Sequence, residues 1–196
     1  MRDPEATRDK ILKKSGILFN TKGYKATSIS EITDATGFTK GAIYRHFKSK
    51  EELEKESLFQ LSTIMMEELR RRIKEELTAT DKLLAVLRYF ESYISKPVVK
   101  GGCPLMNAAI EADDAHPVLR KTALKILDIL HQSLVTILDN GIRYKQLKPD
   151  LDKDHFATVV IASLEGAIMM SKLRNNNVDI RRVMKHLENQ LNDLRL

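Results

Sequence analysis

The residues with most to offer chemically lie between Ile29 and Phe47, in the string ISEITDATGFTKGAIYRHF. Lys40 carries an ammonium that can reach the acceptor edge of a base, guanine above all. Tyr44 stands four residues on, on the same helical face, where it can touch a thymine methyl or donate to a phosphate. Thr39, His46 and Lys50 are spaced for phosphates, which fix register and carry little sequence information. Thr27, with the free amides that open the next helix, offers another phosphate position. Thr39, Lys40, Gly41 and Ala42 keep the front of this segment small enough for its backbone to approach a groove. Three of these residues also have plainer readings: Tyr44 as a packing residue, His46 as a helix-end cap, and Lys50 as an ordinary first-turn lysine. A lysine is electrostatically disfavoured at a helix N-terminus, which argues for a phosphate partner at Lys50.

The rest of the chain offers little chemistry. It has no catalytic triad, metal motif or phosphate loop, so neither an enzyme nor a cofactor is expected. Asp113, Asp114 and His116 are close in sequence but fit no strong metal-ligand spacing, and read as residues of a turn. Cys103 has two readings. It is a small buried hydrophobe, or a thiolate favoured by a helix N-terminus and by Lys100. As the only cysteine it cannot form an intrachain disulfide.

The elements that must position these groups read as all-α. Apolar Ile11, Leu12, Leu18 and Phe19 share a face in a first helix over 5–21, stopped by Gly23. Ser28 and Glu31 form a capping box ahead of a short helix over 29–36. Gly37 then turns the chain into a third helix over 40–47, with Thr39 as its cap. Two short helices about so tight a turn predict a helix-turn-helix, packed through Ile29, Ile32, Ala35, Phe38, Ile43 and Phe47. The second helix of such a pair enters the major groove. Ser49 and Glu52 open a long helix over 50–76. Further helices are expected over 81–94, 105–111, 117–140 (ending at Gly141), 154–173 and 179–194, making a C-terminal bundle of about six. The expected division is a DNA-binding domain over 1–50 and a ligand-binding and dimerisation domain over 51–196.

Charge follows the same division. Residues 1–50 hold eleven Lys or Arg against five Asp or Glu, whereas the remainder holds twenty-two of each. The whole net charge of +6 therefore sits in the first quarter, which suits a duplex-binding head and equally a solvated basic face with no partner. The charged start, Met1 to Lys14, lacks the apolar run of a secretion signal. The apolar stretch 156–170 contains Glu165 and is expected to be too short to cross a bilayer. A cytoplasmic location is the expectation.

From about Ile11 to Leu53 the chain resembles the TetR family of bacterial one-component regulators. The resemblance rests on Phe19, Gly23-Tyr24, Thr27-Ser28, Ile32, Ala35 and Gly37, and above all on Lys40-Gly41-Ala42-Ile43-Tyr44, His46-Phe47, Ser49-Lys50 and Leu53. Phe38 stands where Val is more common. The resemblance implies three N-terminal helices for DNA and a larger bundle for dimerisation and ligand. It also implies repression of a nearby operon, relieved when an effector moves the fourth helix. Thr27, Thr39, Lys40, Tyr44, His46 and Lys50 match positions that contact DNA in the family, and Arg45 occupies a variable position that bears on sequence preference.

The remainder is argued separately. A hydrophobic effector is expected against Leu61, Met65, Leu87, Phe90, Met106, Ile110, Leu127 and Leu134, unless these residues simply pack one another. The helix over 154–173 is apolar on more than one side, with small Ala162, Ser163, Gly166 and Ala167, and with the last helix predicts a homodimer interface. The segment 100–120 resembles a sub-pattern in which some relatives sense electrophiles or oxidants through a cysteine at the position of Cys103. The leading expectation is a repressor released from a palindromic operator by a small molecule. The alternatives are a thiol- or electrophile-responsive repressor acting through Cys103, and an architectural DNA-binding protein.

Overall fold

The computed structural model describes residues 3–112 and 116–196, and among these it contains nine α-helices and no strand. They are α1 (Pro4–Lys22), α2 (Ile29–Thr36), α3 (Lys40–His46), α4 (Lys50–Lys74), α5 (Ala79–Ser95), α6 (Pro104–Ala112), α7 (Pro117–Arg143), α8 (Lys153–Arg174) and α9 (Val178–Asp193). The fold is thus all-α, as the periodicity predicts. Asp113 and Asp114, the acidic pair considered for a metal, lie outside the described residues.

The chain forms two compact units. The first is Met1–Met65 with Val99–Ile126, and the second is Met66–Val98 with Leu127–Leu196. Both α4 and α7 contribute to each unit. The boundary expected at residue 50 lies inside the first unit, which also includes α6.

The first unit holds the helix-turn-helix. The Asp3 carboxylate caps α1 by accepting from the Glu5 and Ala6 amides, with Pro4 opening the helix. Ile11, Leu12 and Phe19 of α1 are buried with Ile32, Ile43, Phe47, Leu53 and Leu58. Each such side chain contributes about 1.5–3 kcal/mol on burial. Phe19 stacks on Tyr24 with ring centroids 5.1 Å apart. One of the expected packing positions differs. Ala35 is exposed, and Thr36 is buried in its place because its hydroxyl donates to the Ile32 carbonyl at 2.7 Å and accepts from the Phe38 amide at 3.2 Å.

In the second unit α5, α8 and α9 pack on one another. The apolar face of α9 buries Ile180, Met184, Leu187 and Leu191. Gly141 does not stop α7, which runs on to Arg143. A Cβ at Gly141 would lie 2.5 Å from Leu147 Cδ1 and 2.7 Å from Ala79 Cβ, so the glycine serves close packing within the helix. With 22 residues, and a mean hydropathy of 1.5 over its most apolar 18, α8 is by length and composition long and apolar enough to cross a membrane, contrary to the expectation from its central stretch. Within the second unit it packs against α5 and α9, burying Ala157, Val160, Leu164, Ala167 and Ile168.

Candidate nucleic-acid interface

The geometry of the reading segment starts with its caps. Ser28 Oγ accepts from the Glu31 amide at 3.2 Å, and Glu31 accepts in return from the Ser28 amide at 2.8 Å. The Lys22 ammonium, 2.6 Å from Glu31, and then the Ser28 amide and hydroxyl hold that carboxyl down at about 2. Gly37 ends α2 in the left-handed region, at φ 73°, where a side chain would be strained, and its N–H donates to the Thr33 carbonyl. Thr39 Oγ1 then accepts from the Ala42 amide at 3.2 Å and opens α3.

The short helix α3 has two sides. Ile43 and the following Phe47 are buried and fix the helix to the unit. Thr39, Lys40, Gly41, Tyr44 and Arg45 are exposed, Tyr44 at 39%. A Cβ on Gly41 would meet nothing within 4 Å, so the front of α3 is open to a close partner. His46 is half-buried, with its ring tilted against Phe47 at 6.5 Å. The sequence-predicted residues on α3 therefore share one accessible surface, with His46 at its edge.

Two predicted phosphate residues are placed otherwise. Thr27 is 1% exposed, and its hydroxyl donates to the Gly23 carbonyl at 2.7 Å, closing the turn after α1. Lys50 turns its ammonium inward. It donates to the Tyr24 carbonyl at 2.7 Å, pairs with Glu54 at 3.0 Å and lies 5.9 Å from the Phe19 ring centre. These partners explain a lysine at the start of α4 without a phosphate. Glu54, itself buried, also takes a 2.7 Å hydrogen bond from His116. Burial, then Glu111 and Glu54, push the Tyr24 hydroxyl well above the usual tyrosine range.

The residues expected around an effector are divided between the units. Leu61, Met65, Met106 and Ile110 belong to the first, and Leu87, Phe90, Leu127 and Leu134 to the second. Ile110 is 70% exposed and Leu127 37% exposed, while Leu61, Met65, Leu87, Phe90 and Leu134 are buried and Met106 is half-buried. In the second unit Leu87 and Leu134 line one hollow, and Phe90 and Leu134 another, each of about 10 Å³. That is scarcely room for one water. A roomier hollow of about 490 Å³ in the same unit is lined by Ile73, Leu77, Ala79 and Ile137 with Lys74, Lys82 and Tyr144, none of them a predicted liner. Cys103 is 2% exposed at the start of α6, as its packing reading requires.

Sequence reasoning missed one constellation altogether. Asn20 of α1 and Asn107 and Glu111 of α6 hydrogen-bond one another or the turn after α1. Asn20 is buried within an amphipathic helix, but nothing in the local pattern pairs it with residues nearly ninety positions away.

Known proteins share the fold. Residues 11–56 match the family described as bacterial regulatory proteins, tetR family, and residues 79–187 match the tetracyclin repressor-like C-terminal domain. The chain is 27% identical to the HTH-type transcriptional repressor DhaR of a Mycobacterium species over 172 residues, 86% of this chain and 84% of that one. It is 26% identical to the HTH-type transcriptional regulator TtgR of Pseudomonas putida, over 91% of this chain and 86% of that one. A TetR transcriptional regulator of Chloroflexus aurantiacus superposes over the whole of both chains with a TM-score of 0.96 and 34% identity. A TetR-family regulator of Cytophaga hutchinsonii gives 0.93 and 32% over all of this chain and 98% of its own. The family matches and the likeness of fold thus extend along nearly the whole chain, and the chain belongs to the TetR family of DNA-binding transcriptional regulators.

Proposed function

We propose that this regulator is a cytoplasmic, homodimeric repressor, without catalytic activity, that binds an imperfect palindrome and leaves it when a small hydrophobic effector binds within residues 51–196. The exposed edge of α3 carries the reading: Thr39, Lys40, Gly41, Tyr44 and Arg45 face outward from a helix that Ile43 and Phe47 anchor. Lys40 and Tyr44 read base edges, and Arg45 tunes preference. Thr39 and His46 hold phosphates at the flanks of the groove. Lys50 braces the head from within and is left out of the phosphate set. Among the relatives, DhaR is a transcriptional repressor and TtgR a transcriptional regulator. The dimer forms through α8 and α9. Exposed Ala162, Met169, Met170 and Leu173 on α8, with open space around Gly166, support this; Ala167 instead packs inside its own unit. A thiol-responsive reading is not favoured, because an electrophile must reach Cys103 and the residue is buried.

The test is selection of duplexes by the purified protein from a random library. A two-fold symmetric consensus, with half-sites one helical turn apart or a multiple of it, supports the proposal. Equal retention of all duplexes would instead indicate architectural binding. Screening small hydrophobic compounds for loss of the selected complex then tests effector release.

A further inference from the structure

The turn between α1 and α2 is held from outside the three-helix head. Glu111 of α6 accepts the Tyr24 and Lys25 amides, each at 3.0 Å. Its two oxygens are divided one to each amide, and Glu111 enters no ion pair among the described residues. One helical turn earlier, Asn107 Nδ2 lies 3.1 Å from the Asn20 carbonyl and 3.0 Å from Asn20 Oδ1, with the Gly101 carbonyl at 3.2 Å. Asn20, 4% exposed, in turn donates to the Lys100 and Gly102 carbonyls at 2.8 and 3.0 Å. On the other side Lys50 donates to the Tyr24 carbonyl. Tyr24 is therefore gripped at both its N–H and its C=O, and the end of α1 is tied to the loop before α6.

This arrangement has a chemical logic. Asn20 lies in the last turn of α1, where carbonyls lack helical partners, and Asn107 supplies one. Two adjacent amides need two acceptor atoms, which a carboxylate provides and a carboxamide does not. A negative charge opposes the head's attraction for DNA, so Glu111 has a reason to be there other than the field.

We infer that Glu111 and Asn107 are positioning residues for DNA binding: α6 sets the angle at which α2 and α3 leave α1, through these hydrogen bonds. The inference rests on the reading that α3 contacts DNA. Within the first unit, α6 and the head are one packed body.

The experiment compares Glu111→Ala, Glu111→Gln, Asn107→Asp and, as a charge control, Asp34→Asn, an exposed acid of α2 outside the turn. Affinity is measured on the duplex selected by the wild type, together with hydrogen exchange of the Tyr24 and Lys25 amides and thermal midpoint. If the binding-competent fraction falls tenfold, apparent Kd rises about tenfold. That loss is expected for Glu111→Ala and Asn107→Asp, with about a threefold loss for Glu111→Gln, which keeps one acceptor. Asp34→Asn binds slightly tighter. Charge alone predicts tighter binding for Glu111→Gln and Glu111→Ala as well, so the sign of the change separates positioning from field. Should Glu111→Ala fail to fold, Glu111→Gln carries the same comparison, while Asn107→Asp, which adds a negative charge, is judged by its amide exchange rather than by the sign of its affinity change. Affinities at or above wild type in the folded variants overturn the inference. If the wild type selects no duplex, it is the DNA reading that fails. Exchange then decides the coupling: at least tenfold faster exchange at Tyr24 and Lys25 in a folded variant sustains it, and unchanged exchange removes it.

Discussion

Lys40 and Lys50 are ten residues apart and carry the same charge, yet their surroundings predict opposite phenotypes. Lys40→Ala removes an exposed ammonium from the front of α3. Stability should hardly change, whereas operator affinity should fall by about 1–3 kcal/mol per half-site, with relaxed preference at one or two base pairs. Lys50→Ala removes a charged hydrogen bond to the Tyr24 carbonyl and one partner of buried Glu54. Stranding one partner of a fully buried pair costs about 3–5 kcal/mol. The Lys50 side chain is 31% exposed, however, and Glu54 keeps its hydrogen bond to His116, so water and imidazole offset part of the loss. A net cost of about 2 kcal/mol follows, comparable with one hydrogen bond to a charged group. For a chain of this length that lowers the thermal midpoint by roughly 4–8 °C. Since the ammonium faces inward, the slope of log affinity against log salt should stay at the wild-type value. The assay is thermal unfolding of each variant, followed by titration of the selected operator at several salt concentrations. A Lys50→Ala protein with wild-type stability and a slope reduced by about one would place that ammonium on a phosphate, and would refute the inward reading.

Other outcomes follow from local geometry. Gly141→Ala should destabilise by about 1–3 kcal/mol through overpacking, although alanine is the better helix former; the added methyl meets Leu147 and Ala79, and calorimetry gives the sign. The carboxyl of Glu31 should titrate near pH 2 in the folded protein, followed by side-chain carboxyl resonances. Its folded pKa lies below its usual value, so the capping box contributes fully above about pH 4.5 and is lost as pH falls through about 2. Ser28→Ala should move that titration upward. Gly166→Arg has open space within its own subunit, so the monomer should fold while the sedimentation coefficient falls to that of a single chain. Retention of a wild-type dimer would move the interface away from this part of α8.

Signals confined to a few neighbouring residues were legible in the sequence. Ser28 with Glu31, Gly37 and Thr39 bound α2 and α3 because caps and left-handed turns are local chemistry. The exposed edge of α3 was legible for the same reason, since Ile43 and Phe47 leave only one side free. Tertiary partners were not. Lys50 reads as a phosphate ligand until Tyr24, twenty-six residues earlier, supplies a carbonyl. Gly141 reads as a stop until Leu147 folds back against it. The expected effector liners have the right hydrophobicity, but whether such residues enclose space depends on how their side chains interdigitate, and Leu87, Phe90 and Leu134 surround hollows of only about 10 Å³.

The grip of α6 on the first turn also bears on how interchangeable the parts of such regulators are. A chimera joined at residue 50 would transplant Asn20 and Tyr24 without Asn107 and Glu111, leaving on each side of the graft polar groups made for absent partners. Buried groups of that kind are costly when orphaned. A portable head from this chain must carry the matching surface of α6 with it. By the same token, α6 is not free to vary independently of the head: substitutions at 107 and 111 have to answer to α1.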